Sequence, residues 1–180
     1  MPEAATFQRQ QRGVAVRMAA AVAVTVTVIA AALYMALSAA PPVAERLAMT
    51  LKADLFVAVW LFAGVANVAR LRFFSREDIG GSGSASASVA VRNGNAVLQN
   101  TLEQVVLAVV AHLGLAAVLE GSGLLIVALV VLFSLGRALF WAGYAKGAAA
   151  RALGFALTFY PSAFALLIAI AVTLTRLAGV

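Results

Sequence analysis

The feature that most constrains the fold of this sequence is a series of five long apolar runs. They cover residues 14–37, 51–71, 96–119, 124–145 and 153–174. Each is about as long as the roughly 20 residues that a helix needs to cross a hydrocarbon core about 30 Å thick. Because backbone polar groups must be satisfied internally in lipid, we predict an all-α, polytopic membrane protein.

Composition supports this class and excludes several chemistries. Of the 180 residues, 64% are hydrophobic and 11% charged, and the mean hydropathy is +1.01, whereas about half of a soluble domain is apolar. The absence of cysteine excludes disulfides, thiolate nucleophiles and cysteine-ligated metals. With His112 as the single histidine, we expect no metal site. There is no Walker motif, no dinucleotide fingerprint and no pattern of Ser-His-Asp catalysis.

The net charge of +6 arises from 13 basic and 7 acidic residues. The bases cluster at the ends of the runs, where membrane topology and anionic headgroups account for them, so no nucleic-acid partner is expected. Capture of an anionic ligand is the alternative use of this charge.

Orientation follows from the positive-inside rule. With the N-terminus inside, nine bases lie on the inner side, namely Arg9, Arg12, Arg17, Arg70, Arg72, Arg76, Arg92, Lys146 and Arg151. Three lie outside, namely Arg46, Lys52 and Arg176. We predict a bacterial inner-membrane protein with a cytoplasmic N-terminus and an external C-terminus. Run 14–37 exceeds the 7–15 residues of a signal-peptide core, so we favour a retained helix over a signal peptide.

The connections predict two regions: residues 1–48, with a basic segment and the first helix, and residues 49–180, with the other four helices. Residues 43–50 are expected to form an external loop after Pro41-Pro42. Residues 75–95, which include the Gly/Ser/Ala stretch 80–88, are expected to form a flexible cytoplasmic loop. Tight turns at 120–123 and 146–151 make the last three helices antiparallel neighbours.

A polar stretch, residues 98–104, begins the third run. At about 100° per residue, Asn100, Glu103 and Gln104 share one helix face. Glu103 lies about 10 Å into the span, and Arg137 of the fourth run lies about 12 Å in from the same side. Buried charges in membranes are costly and face a partner or a cavity. Two interpretations remain open: a ligand site, or a purely structural Glu103–Arg137 pair.

Further polar residues surround this stretch. One helix stripe contains Arg137, Trp141 and Tyr144 and leads toward Arg151. Together these residues are expected to form a cationic funnel that is open to the cytoplasm. His112 is expected to be neutral and hydrogen-bonded between helices, and Asp54 to lie at the outer interface near Lys52. Gly143 and Gly147 form a G-x-x-x-G pattern that indicates close packing weakly, because it runs into a turn. No inverted repeat supports the third possibility, a small transporter.

Three segments carry a family resemblance. Residues 99–104 resemble the Asn-x-x-Glu signature of the MAPEG family, membrane-associated proteins in eicosanoid and glutathione metabolism. Residues 136–144 resemble its third helix, and residues 151–161 the start of its last helix. The resemblance extends over about residues 50–174 and implies a four-helix bundle that forms a homotrimer, here preceded by one extra N-terminal transmembrane helix.

The resemblance also implies a function. Asn100 and Glu103 match the glutathione-binding Asn and Glu of the family, Arg137 and Tyr144 match a ligand-binding Arg and Tyr, and Arg151 matches the Arg that helps stabilise the glutathione thiolate. On this basis we expect Gln104 to join the glutathione-binding residues and Tyr144 to favour the thiolate together with Arg151. Glutathione would be a cosubstrate, and lipophilic electrophiles from the bilayer the second substrate of a transferase or peroxidase.

Two positions depart from the family pattern. Ala96 replaces an Arg four residues before the signature Asn, and Ala152 supplies no hydroxyl after Arg151. Since a thiolate needs cationic or hydrogen-bond stabilisation near neutral pH, a non-catalytic protein of the same fold stays open; it would bind a lipid or small thiol, or act in assembly.

Overall fold

The computed structural model describes residues 2–35, 41–81 and 87–179. These residues form five α-helices: α1 Pro2–Met35, α2 Val43–Phe73, α3 Val89–Val118, α4 Gly123–Tyr144 and α5 Ala148–Leu177. All five are long and apolar enough to cross a membrane. The all-α, polytopic class predicted from the apolar runs is therefore confirmed.

The start of α2 differs from the prediction, because residues 43–50 are helical rather than an external loop. Pro42 lies immediately before the helix, and its carbonyl accepts hydrogen bonds from the amides of Glu45 and Arg46 at 3.0 and 3.1 Å. Proline adopts helix-compatible φ near a helix start and lacks only an N–H that would be unpaired there. The side chain of Arg46 then donates to the carbonyl of Ala116, at 2.9 Å, which ties this end of α2 to α3.

Residues 148–151 of the predicted turn are helical and begin α5. The start of α3 also differs, because residues 89–95 of the predicted loop are helical. Ser88 is the N-cap, and its hydroxyl accepts a hydrogen bond from the Val91 amide. Before it, Asp78 accepts from the Ser88 amide at 3.0 Å and from the Ser75 hydroxyl at 2.7 Å. The central part of the predicted flexible loop, residues 82–86, lies outside the described residues.

Helix α1 runs parallel to α5 along its length. Near their starts, a Cβ placed on Gly13 would lie 3.6 Å from that of Ala149. Further along, Ala21 packs in one cluster with Ala156 and Leu157, and α1 continues beside Ala165 and Ala169 through Ile29 and Ala32. The extra helix is therefore a full-length member of this bundle.

Helices α4 and α5 make the closest backbone approach. A Cβ on Gly154 would overlap the backbone of Phe140 and Gly136, and one on Gly143 would lie 2.5 Å from the carbonyl oxygen of Ala150. Of the predicted G-x-x-x-G pair, Gly143 makes close contact whereas Gly147 does not; Gly147 adopts φ +101° in the turn, which favours glycine.

We call the end of the bundle where α1, α3 and α5 begin and where α2 and α4 end the arginine-rich end. It carries Arg70, Arg72 and Arg151. Toward the opposite end the core consists of small and branched apolar residues, including Ala111, Leu115 and Leu125. The polar residues singled out in the sequence lie mainly between this core and the arginine-rich end.

Candidate functional site

The candidate site is organised around Arg137 of α4, whose side chain is wholly buried. Its guanidinium donates to the side-chain oxygen of Asn100 at 2.9 Å and to the Thr158 hydroxyl at 2.7 Å. Its third nitrogen, Nε, has no hydrogen-bond partner among the residues that the structure describes. The ring of Phe140 covers the cation, with Cζ 4.4 Å from the ring centroid.

No carboxylate among the described residues pairs with Arg137. The neutral oxygens and the π-face solvate the cation but leave its charge uncompensated. A buried charge without a counter-ion is costly, so the arrangement favours an anion nearby. Asn100 lies between Arg137 and a cavity, and this places the uncompensated charge directly behind the cavity wall.

The cavity next to Asn100 has a volume of about 430 Å³ and lies at the arginine-rich end. Its polar wall consists of Asn100, Tyr144 and Arg151, from α3, α4 and α5. The guanidinium of Arg151 lies over the Tyr144 ring, 4.6 Å from its centroid. Three helices therefore bring together four of the residues predicted from the sequence, with Arg137 reaching the cavity through Asn100.

Glu103 is not part of this cluster within one chain. Its side chain is exposed on α3, and its carboxylate accepts a hydrogen bond from the Gln99 amide at 3.0 Å. The structural Glu103–Arg137 pair that the sequence left open is therefore not formed, because α3 presents Asn100 to α4 and turns Glu103 outward. Gln104 is buried, and within the described part of the chain its side-chain oxygen has no hydrogen-bond partner.

A second cavity of about 230 Å³ lies on the other side of Tyr144. Trp141 lines this second cavity together with Asn67 and Asn93 and does not line the first cavity. Its ring packs edge-to-face against Trp60, with 5.8 Å between the ring centroids. The predicted Arg137–Trp141–Tyr144 stripe is thus divided between two cavities, because α2 packs against one flank of α4 and α5 against the other.

The position of Asp54 differs from the prediction. It lies buried inside the bundle rather than at the outer interface near Lys52. Its Oδ1 lies 2.6 Å from Nδ1 of His112, which is also buried, so the predicted interhelical hydrogen bond of His112 is confirmed with Asp54 as the partner. Asp54 Oδ2 accepts no hydrogen bond from any of residues 2–35, 41–81 and 87–179. Sequence reasoning paired neither residue because they are 58 positions apart.

Two contributions to the site were missed in the sequence. Thr158 of α5 solvates Arg137, and its hydroxyl donates in turn to the Phe155 carbonyl at 2.8 Å; a hydroxyl residue in an apolar helix was the available signal. Val14 and Met18 of α1 line the first cavity, and nothing in an apolar run distinguishes them from residues that face lipid.

The described part of the chain contains no cluster of three or more His, Asp or Glu that could hold a metal ion. The arrangement instead offers two guanidinium groups, an amide and a phenol next to apolar walls. It can hold an anion at the polar wall and an apolar group beside it.

Comparison with known families gives one match: the family model described as the MAPEG family matches residues 50–172. No curated protein and no solved structure matches the chain. The match includes α3, α4 and most of α2 and α5, and therefore every polar residue of the first cavity. Helix α1 lies outside it.

Proposed function

The chain belongs to the MAPEG family, and on this premise we propose that it is a membrane-bound glutathione-binding protein with transferase or peroxidase activity toward lipophilic electrophiles. One observation carries the proposal: Arg137 is buried, pairs with no carboxylate in the described part of the chain, and lies directly behind a cavity whose polar wall contains Asn100, Tyr144 and Arg151. Glutathione supplies the carboxylates and the thiolate that such a site lacks.

Each polar residue has a chemical role in this proposal. Asn100 donates its side-chain amide to a carboxylate of the peptide, and Arg137, which lies behind Asn100 and bonds to it, stabilises that negative charge. Arg151 and Tyr144 stabilise the thiolate, because a cation and a hydroxyl donor lower the free energy of the anionic sulfur. Attack of the thiolate on the electrophile forms a carbon–sulfur bond and displaces a leaving group or, in an addition, leaves a carbanion that is protonated.

Glu103 completes the site only in an oligomer. Since the carboxylate faces outward from α3, we propose that it meets a neighbouring copy in a homotrimer and binds the amino group of glutathione there. Gln104 is buried on the side of α3 that faces the bundle, and its role is to stabilise this helix. The orientation with a cytoplasmic N-terminus would place the cavity on the glutathione-containing side of a bacterial inner membrane.

The alternative is a non-catalytic protein of this family that binds a lipid or a small thiol. Ala96 and Ala152 favour it, because both line the cavity and neither brings a polar atom to it. A thiolate in this cavity therefore depends on Arg151 and Tyr144.

The test is a titration of the purified protein with reduced glutathione. Calorimetry measures binding, and ultraviolet absorbance measures formation of the thiolate. We expect saturable binding, a thiolate signal, and turnover of a chromogenic electrophile. Arg151→Gln should abolish the thiolate signal while binding persists, and Arg176→Gln, at the opposite end of α5, should change neither. Binding without thiolate or turnover in the wild-type protein would favour the non-catalytic alternative, and no binding by an intact oligomer would refute the proposal.

A further inference from the structure

The first cavity has a wall that does not come from the family region. Helix α1 lies outside residues 50–172, yet Val14 and Met18 line the cavity that contains Asn100, Tyr144 and Arg151. Helix α1 is fixed there by packing along α5, with Ala21 and Thr25 wholly buried. The Thr25 hydroxyl donates within its own helix, to the Ala21 carbonyl at 2.7 Å, and the two α1 side chains that line the cavity, those of Val14 and Met18, carry no charged or hydrogen-donating group.

The cavity is chemically two-sided. Its polar side chains belong to α3, α4 and α5, which also contribute the rings of Phe140 and Phe155, whereas α1 contributes only a branched aliphatic side chain and a thioether. An anionic group is held on the polar side, and the side formed by α1 can contact only an apolar group. Methionine is flexible and polarisable, so it adapts to apolar ligands of varied shape.

We infer that α1 is the specificity element of this protein: Val14 and Met18 contact the apolar co-substrate and limit its size. The inference rests on the proposed function for the identity of the polar ligand. It goes beyond that function because it assigns the second substrate to a helix that the family match does not include. The co-substrate class is a slender aliphatic or aromatic electrophile that enters beside α1.

The position of α1 can be tested first, since the chain has no cysteine. A Cβ on Gly13 would lie 3.6 Å from that of Ala149, within the roughly 3.5–4.5 Å range of disulfides. We expect Gly13→Cys/Ala149→Cys to form a disulfide within one chain on mild oxidation. Val16→Cys/Ala149→Cys is the matched control and should not, because Val16 is exposed on another face of α1. Cross-linking between chains only would overturn the inference.

The decisive experiment measures affinity for S-alkylglutathiones with tails of one to ten carbons, by calorimetry. We expect affinity to rise with tail length up to a limit. Met18→Ala should move the limit to longer tails and Met18→Trp to shorter ones, with changes of about 10-fold or more at the limiting length, as one methylene changes binding in an apolar pocket. The affinity of each variant for unmodified glutathione is the reference from which the effect of the tail is calculated, and Val16→Ala should match the wild type. Unchanged length profiles with normal glutathione affinity would overturn the inference and leave the proposed function standing.

If glutathione fails to bind the wild type, the proposed function fails, and labelling of Met18→Cys decides the inference. Maleimides with N-substituents from methyl to pyrenyl should react at position 18 up to a size limit, whereas Val16→Cys should show no such limit. A lack of any size limit at position 18 would show that α1 does not form a cavity wall.

Discussion

At the scale of single residues, this bundle places its polar side chains in partnerships that span distant helices. Arg137 is held by Asn100 and Thr158, and His112 by Asp54. The Arg137 cluster and the Asp54–His112 pair differ in whether they lie next to a cavity. Arg137 lies behind a cavity and has no counter-ion among the described residues, which is typical of a binding site, whereas Asp54 and His112 are buried, bond to each other and connect α2 to α3.

The Asp54–His112 pair should act as one energetic unit. In His112→Ala, Asp54 keeps a buried carboxylate without its partner, which we expect to cost about 1–3 kcal/mol. Asp54→Leu/His112→Leu should cost less than the sum of the single variants, with a coupling of about 0.5–3 kcal/mol. Reversible denaturation in mixed micelles measures these free energies of unfolding. Additive single effects would show that the two side chains do not interact.

Asp78 predicts a dependence of stability on pH. Hydrogen bonds from the Ser75 hydroxyl and then from Ser88, with Arg72 nearby, lower the pKa of the Asp78 carboxyl below its usual 3.8. Because the folded-state pKa is depressed, the carboxylate stabilises the fold fully above about pH 4 and loses this effect as pH falls through the lowered pKa. Asp78→Asn should therefore be less stable than the wild type at pH 7, and the difference should shrink below pH 3.8. A difference that persists at lower pH would contradict this account of the Ser75–Ser88 connection.

At the scale of helices, glycine contacts determine how α4 meets α5. Gly136, Gly143 and Gly154 leave no room for a side chain at the crossing. This close approach places Thr158 beside Arg137 and Arg151 beside Tyr144, so the polar wall depends on it. Helix α1 is less enclosed than α4 and α5. It packs along one side of α5 and leaves much of its surface exposed, including Val16 and Val26.

Gly154→Ala should destabilise the bundle strongly. The added Cβ meets backbone atoms of α4, which cannot rotate away as a side chain can, and we expect at least the roughly 1–3 kcal/mol typical of overpacking. Gly123→Ala is the control, because a Cβ there meets no atom within 4 Å. The midpoints of thermal unfolding of the two variants are compared, with circular dichroism as the signal. Equal midpoints for the two variants would mean that α4 and α5 separate at little cost.

At the scale of the whole molecule, one chain leaves an apolar face uncovered. Leu102, Val106 and Val110 of α3 are 40%, 55% and 54% exposed, and Glu103 lies among them on the same helix. Apolar side chains are compatible with lipid. A carboxylate within the hydrocarbon costs about 2.5–3.5 kcal/mol on insertion scales, so this face is better covered by another copy than by lipid.

Native mass spectrometry in detergent should therefore show a trimer. Glutathione should stabilise it, by about 2.7 kcal/mol at a concentration of 100 times Kd. Glu103→Gln should reduce this gain by weakening ligand affinity while the unliganded trimer persists, and Glu120→Gln, at the other end of α3, should behave as the wild type. A monomer, or a Glu103→Gln variant that dissociates with unchanged glutathione affinity, would show that Glu103 serves assembly instead.

The sequence by itself determined the number of helices, their class and most of their ends. The length and hydropathy of an apolar run are local properties, and the bilayer imposes the helix on each. It also predicted that Asn100, Arg137, Tyr144 and Arg151 belong together, because depth along a helix follows from residue spacing. It misplaced four starts, because α1 begins at Pro2, α2 at Val43, α3 at Val89 and α5 at Ala148, each several residues before its apolar run. Pro42 and Ser88 begin α2 and α3 earlier than hydropathy indicates.

Tertiary structure alone decided how each helix is rotated and which neighbour it meets. These spans are apolar on nearly every side, so their sequences do not distinguish a face against protein from one against lipid. That rotation directed Glu103 outward, moved Asp54 inward to His112, and brought Val14 and Met18 of α1 to the cavity. Rotation and contact depend on interlocking side chains from several helices at once, and no single run contains that information.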